Sequence, residues 1–384
     1  IIQAIDKVKG LPVLLQASLN KFVAALAHNL ASITPGDLKH SFFCNSGAEA
    51  VEASLKLARA ATGKERFLFC QGAFHGKTFG ALSVTGRDKY KEVFRPLLPG
   101  CSQVPFGDLD ALEESLQDND VAAFIVEPIQ GEGGVIVPPP GYLKGAEQLC
   151  RRSGALLIID EIQTGLGRTG FMFACEEENV SPDVICLSKS LGGGLMPLGA
   201  IVTTEDAWKK AYGGMEKCLL HTSTFGGNTL AAAAGIAALE VIVKEDLPGQ
   251  AAEKGRYFKE KLLELNKRYG LLKDVRGKGL LLGIEFASPE GILNKISGNT
   301  LGKLSHEYLA SLVAGELLNR FGIITAYTLN NPNVIRLEPP LIVSYEEIDY
   351  VLSSLEKIFE SSGSFLKLAM RSGRTVFSSL LKRN

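Results

Sequence analysis

From about Ser41 to Gly226, short apolar runs alternate with amphipathic stretches of helical spacing. This is the pattern of a mostly parallel sheet whose strands are joined by helices. The runs Arg66–Cys70, Val121–Val126, Ala155–Ile159, Asp183–Ser188 and Gly199–Thr203 are bounded by turn residues and read as buried strands. Helical periodicity covers Ala48–Ala61, Gly141–Arg152 and Thr229–Val243. Beyond about Glu245 the texture changes. Helices are predicted at Ala251–Arg268, Leu304–Arg320 and Tyr345–Glu360, with strands at Leu280–Phe286 and Val334–Leu337, which suggests a smaller α+β domain. The expected division is an N-terminal segment (1–18), a large domain (19–240), a small domain (241–363) and a basic tail (364–384). Ile1, Ile2, Ile5 and Val8 keep helical spacing from the first residue, which is not Met, so part of the N-terminal segment is expected to lie upstream.

Composition narrows the function classes. At 384 residues, with 46% hydrophobic and 22% charged residues and a formal net charge of -1, the chain reads as an ordinary soluble protein of two domains. Nothing in it resembles the basic footprint of a nucleic-acid binder, and no apolar run is long enough to span a bilayer. The seven cysteines are scattered, without a Cys-x-x-Cys pair or a His/Cys cluster at metal-ligand spacing. Cys44, Cys70 and Cys186 lie in apolar runs and read as buried free thiols, which points to a reducing, cytoplasmic location. The tail after Ser361-Ser362-Gly363-Ser364 carries Lys367, Arg371, Arg374, Lys382 and Arg383 and no acid. It reads as a terminal helix with a solvated basic face; docking to a neighbouring domain or an anionic membrane is the alternative.

Chemistry concentrates where predicted strands end. Ala155–Ile159 runs into Asp160, and Asp183–Ser188 runs into Lys189 and the glycines Gly192, Gly193 and Gly194. Ligands of open α/β sheets bind beyond the carboxyl ends of such strands. An acid and an amine delivered there suit pyridoxal phosphate, whose aldehyde needs a lysine and whose ring nitrogen needs a carboxylate. Taken singly, each residue has a plainer reading, as a surface lysine or a helix-capping aspartate.

The neighbouring motifs bear on that choice. Ser46-Gly47-Ala48-Glu49 opens a helix, and a small-residue turn at a helix start suits phosphate or simply caps the helix. Phe74-His75-Gly76-Lys77 offers an aromatic ring for a planar heterocycle or for the edge of the core. Glu127 and Glu132 sit in a glycine-rich loop after Val121–Val126. His221–Asn228 brings hydroxyls and glycines ahead of a helix, and Arg336 stands inside an apolar strand, where it needs a buried partner or a substrate carboxylate.

Over essentially its whole length the chain resembles the class III aminotransferases of the fold-type I pyridoxal-phosphate enzymes. The resemblance is carried by Asp160-Glu161-Ile162-Gln163-Thr164-Gly165-Leu166-Gly167-Arg168-Thr169-Gly170 and Ser188-Lys189. Phe74–Lys77, Val137–Leu143, Leu220–Phe225 and Thr328–Asn331 turn the likeness toward members acting on putrescine. The resemblance implies a large domain with a mostly parallel seven-stranded sheet, a smaller α+β domain, and a homodimer with shared active sites. Lys189 would bond the cofactor aldehyde and move the substrate proton, Asp160 would pair with the ring nitrogen, and Gln163 would bond the ring oxygen. Phe74 would stack on the ring with His75 nearby, Ser46, Gly47 and Ala48 would hold the phosphate, and Thr224 would reach the phosphate of the other subunit. Glu127 would lie near the reacting bond, Arg336 would take the carboxylate of a 2-oxo acid, and Glu132 would be its switchable partner.

Lys77 stands where ornithine-type members commonly carry arginine, a point charge in place of a planar fork. The reading is therefore transfer of the terminal amino group of a diamine to a 2-oxo acid, probed against three alternatives. These are an ornithine or acetylornithine δ-aminotransferase, an enzyme acting on a biosynthetic keto-aldehyde, and a scaffolding domain of a larger protein.

Overall fold

A computed structural model describes residues 1–13, 19–287 and 299–362. The chain divides into two compact units. The first holds Ile1–Gln130 and Val137–Gly249; the second holds Gly131–Ile136 and the described residues from Gln250 onward. The basic tail lies outside the described residues.

The first unit is built on strands β1 (Leu38–Cys44), β2 (Arg66–Cys70), β3 (Cys101–Val104), β4 (Val121–Val126), β5 (Leu156–Asp160), β6 (Val184–Leu187) and β7 (Gly199–Thr204). They form one seven-stranded sheet in the order β1-β7-β6-β5-β4-β2-β3. β7 runs antiparallel to both β1 and β6, and the other pairs are parallel. Reversing only β7 leaves the remaining strands pointing one way, so their carboxyl ends share one edge. β4 and β6 are buried at every position, as expected of strands covered on both faces.

Helix Gly47–Thr62 lies against this sheet with Ala50, Val51, Ala53, Ser54, Leu55, Leu57 and Ala58 buried. Small residues on that face let the helix come close enough to cover β6 and β7. It starts at Ser46, whose Oγ accepts from the Glu49 N–H (3.2 Å), and stops at Gly63 in the left-handed conformation.

The second unit carries an antiparallel sheet in the order β10-β11-β9-β8, from β8 (Leu272–Lys278), β9 (Leu281–Phe286), β10 (Ala326–Tyr327) and β11 (Val334–Leu337). Helices Leu247–Tyr269, Asn299–Phe321 and Tyr345–Ser362 accompany it. The interior strands β2, β4, β5, β6, β7, β9 and β11 match the sequence reading to within a residue or two. The strands it did not foresee are β1, β3, β8 and β10, the four sheet edges. Polar or charged residues break the apolar runs of β1, β3 and β8, as in Leu272–Lys278, and β10 is two exposed residues long.

No helix among the described residues is long and apolar enough to cross a membrane. The seven cysteines are free thiols, five of them buried.

Candidate active site

At the shared carboxyl edge of the large sheet lies a cavity of about 250 Å³, slightly below the usual range of small-molecule sites. Five strand ends deliver its walls. β1 leads into Gly47 and Ala48, β2 into Phe74, His75 and Gly76, and β4 into Glu127. β5 supplies Asp160, then Ile162, Gln163 and Thr164, and β6 leads into Ser188 and Lys189. The structure thus gathers Lys189, Asp160, Glu127, Gly47, Ala48, Phe74, His75 and Gln163 around one space. Gly76, Ile162, Thr164 and Ser188 also line it. They were visible only as members of the motifs, because nothing in their chemistry singles them out.

Asp160 is 4% exposed and its carboxylate is aimed by two donors. Oδ2 lies 2.7 Å from His75 Nδ1, and Oδ1 accepts from the Ile162 N–H at 3.1 Å. His75 Nε2 is buried without a partner. Glu127 accepts from the Phe74 N–H at 2.9 Å, which ties the loop after β2 to the end of β4.

Lys189 sits in the left-handed region (φ 42), a conformation that costs a β-carbon residue on the order of 1 kcal/mol or more. The turn is held by Ser188, whose Oγ donates to Leu198 O (2.8 Å) and whose carbonyl accepts from Leu191 N–H (2.9 Å). A sharp turn directly after a strand sends the lysine into the mouth of the cavity.

Two glycines are required by close approach. A β-carbon on Gly47 would stand 2.8 Å from Ile162 Cδ1, and one on Gly76 would stand 2.8 Å from Ala48 Cβ. Gly76 also has φ 127, which side chains avoid. These contacts hold the helix start, the loop after β2 and the segment after β5 together.

Burial sets the ionisation of the surroundings. It pushes the Glu161 carboxyl up to about 7, against hydrogen bonds from Thr164 and the Cys175 N–H. It also pushes the Cys44 and Cys70 thiols up to about 12, so neither is a nucleophile at neutral pH.

These walls fit pyridoxal phosphate. A lysine and an oriented carboxylate share one cavity, beside the first two positions of a long helix, whose N–H groups lack intrahelical acceptors. The orphaned Nε2 of His75 adds a polar atom awaiting a partner.

The other residues predicted from sequence lie elsewhere. Ser46 is the exposed cap of the helix. Lys77 is exposed, its Nζ 4.7 Å from the centre of the Tyr90 ring. Thr224 is exposed on the loop before helix Thr229–Lys244 and does not line the cavity.

Glu132 and Arg336 belong to the second unit and meet there: Arg336 Nη1 donates to Glu132 Oε1 at 2.6 Å. Arg336 thus has a partly buried acidic partner for its place in an apolar strand. The other oxygen of Glu132 accepts from the Leu329 N–H (2.9 Å). Glu338 Oε2 lies 3.0 Å from Arg336 Nε, a second acid that the sequence reading passed over. Arg336 also borders a hollow of about 630 Å³ whose walls are mostly apolar.

The family model for class III aminotransferases matches residues 1–359. The ornithine aminotransferase of Toxoplasma gondii is 33% identical, covering 97% of this chain and 83% of its own, with a TM-score of 0.82. The acetylornithine aminotransferase of Elizabethkingia anophelis is 31% identical over 93% of this chain and 83% of its own, with a TM-score of 0.74. An amine transaminase from an uncultivated Pseudomonas species, in its PLP-bound form, is 30% identical over 92% of this chain and 85% of its own, with a TM-score of 0.80.

Proposed function

The chain belongs to the class III aminotransferases, enzymes dependent on pyridoxal phosphate, and we propose that it transfers the terminal amino group of a diamine such as putrescine to a 2-oxo acid, in the first instance 2-oxoglutarate. The observation that carries the diamine reading is the Arg336–Glu132 pair. An arginine already neutralised by a loop acid suits a donor without a carboxylate. A 2-oxo acid would take the place of Glu132 on the guanidinium. Lys77 in place of a planar fork supports the same preference.

When bound, pyridoxal phosphate supplies an aldehyde for the amine and a ring that stores the electron pair left by the departing proton. The roles we assign to the chain are binding, orientation and proton transfer. Lys189 would hold the cofactor through its aldehyde and, as a free amine, would move the proton at the donor carbon. Asp160, aimed by His75 and Ile162, would pair with the ring nitrogen and keep it protonated. Phe74 would stack on the ring, Gln163 would bond its oxygen, and Glu127 would lie near the reacting bond. Gly47 and Ala48, with Ser46, would hold the phosphate through their N–H groups at a positive helix end. The two substrates follow one another in a ping-pong cycle, the amine leaving as an aldehyde and the oxo acid as an amino acid.

A homodimer belongs to this reading. Exposed Phe79, Phe94, Met215, Leu219 and Phe225 supply apolar surface for a second copy, and exposed Thr224 would serve the partner's phosphate. The free thiols favour a cytoplasmic location.

The experiment is a visible spectrum of the cofactor-loaded protein before and after putrescine, then after 2-oxoglutarate. Loss of the lysine-bound band with putrescine and its return with the oxo acid is the expected result. A band untouched by putrescine but bleached by ornithine or acetylornithine would replace the donor. That second reading is favoured by the ornithine and acetylornithine enzymes among the similar structures.

A further inference from the structure

The loop that carries Thr224 is fastened to the same helix start that lines the cofactor cavity. Asn45, the residue before the helix cap, donates from Nδ2 to Ser223 Oγ at 3.1 Å. The same amide nitrogen lies 3.1 Å from Glu49 Oε2, and the Asn45 backbone N–H donates to that oxygen as well. Glu49 in turn gives its N–H to Ser46 Oγ. One side chain therefore stands between the turn Ser46-Gly47-Ala48 and the hydroxyl next to Thr224.

Two further contacts seat the loop. Lys56 Nζ, on the same helix, lies 2.9 Å from His221 Nδ1 and donates to Leu220 O at 3.3 Å. A β-carbon on Gly226 would stand 2.2 Å from Phe43 O, so the loop lies directly on β1. Thr222, Thr224 and Phe225 face outward from this seat. Thr224 is exposed and does not line the cavity of its own chain.

We infer that Asn45 is a positioning residue for two cofactor sites at once: the phosphate turn of its own subunit, and the Thr224 hydroxyl offered to the other subunit. This rests on the shared-site dimer proposed above. A side chain that only shaped its own turn would act in one subunit. One that also holds Ser223 acts across the interface as well.

Mixed dimers test this directly. Lys189→Ala removes the lysine bond from one chain, so borohydride locks cofactor only onto the other chain, and the mass of that chain counts occupancy against added pyridoxal phosphate. Asn45→Ala is placed either on the Lys189-bearing chain or on the Lys189→Ala chain. Loss of one or two hydrogen bonds predicts about five- to tenfold weaker occupancy in both arrangements. Ser223→Ala on the Lys189→Ala chain should weaken it similarly, with no further loss when combined there with Asn45→Ala. Weakening in only one arrangement, or in neither, overturns the inference. Thr224→Ala on the Lys189→Ala chain separates the two levels: if it leaves occupancy unchanged, the shared-site reading fails. If it weakens binding while Asn45→Ala in that chain does not, only the role of Asn45 fails. Melting temperatures of the cofactor-free variants distinguish a lost hydrogen bond from a loosened fold.

Discussion

Glu161→Gln should reshape the pH dependence of stability. Glu161 follows the last residue of β5 and is 1% exposed. One carboxyl oxygen accepts from the Cys175 N–H at 2.9 Å, and the other accepts from Thr164 Oγ1. Burial outweighs these bonds and lifts the carboxyl from 4.5 to about 7. In that window the folded chain holds a proton that the unfolded chain has released. Proton uptake then favours folding, and stability falls as pH rises from 4.5 through about 7.

The full gap corresponds to on the order of 3 kcal/mol, of which roughly 2–3 kcal/mol develops between about pH 5 and about pH 8. Gln keeps an acceptor for the Cys175 N–H and never ionises. The assay is urea unfolding of the cofactor-free protein and the variant across that range, because titrations common to both cancel in the difference. The variant should gain on the parent steadily toward high pH. Parallel profiles would refute the reasoning. Thr164 lines the cavity, so the same protonation event bears on the cofactor pocket.

Three other outcomes are expected. Lys189→Ala should abolish turnover while the cofactor still associates, and substantial steady-state activity would remove Lys189 from its role. Arg336→Ala should raise the oxo-acid KM far more than the amine KM. A lost charged pair costs about 2–5 kcal/mol, or roughly 30-fold upward, and equal effects on both substrates would reject the anchor. His75→Ala leaves Asp160 Oδ2 without its 2.7 Å donor in a site only 4% exposed. We expect a loss of about 1–3 kcal/mol in denaturant unfolding, partly restored by His75→Asn. Identical losses in the two variants would rule out the hydrogen bond as the cause.

Much of the site was legible because its chemistry is local. Asp160 and Lys189 each end a buried strand, and strand ends show in a sequence as an apolar run stopping at a polar residue. The turn Ser46-Gly47-Ala48 shows likewise, as small residues ahead of a helical period. The edge strands β1, β3, β8 and β10 were not legible: polar or charged residues break the apolar runs of β1, β3 and β8, and β10 is only two residues long.

What the chain determines by itself is therefore which residues arrive at the ends of which elements. Periodicity and turn chemistry act over a few residues, and they place the acid, the amine and the helix cap without knowledge of their neighbours. Which of these meet is decided by the order of strands and the direction of each. His75 reaches Asp160 across 85 residues, Asn45 reaches Ser223 across 178, and Arg336 reaches Glu132 across 204. The reason is entropic: closing loops of that length has a cost that no short-range pattern records, and only the cooperative packing of the core offsets it.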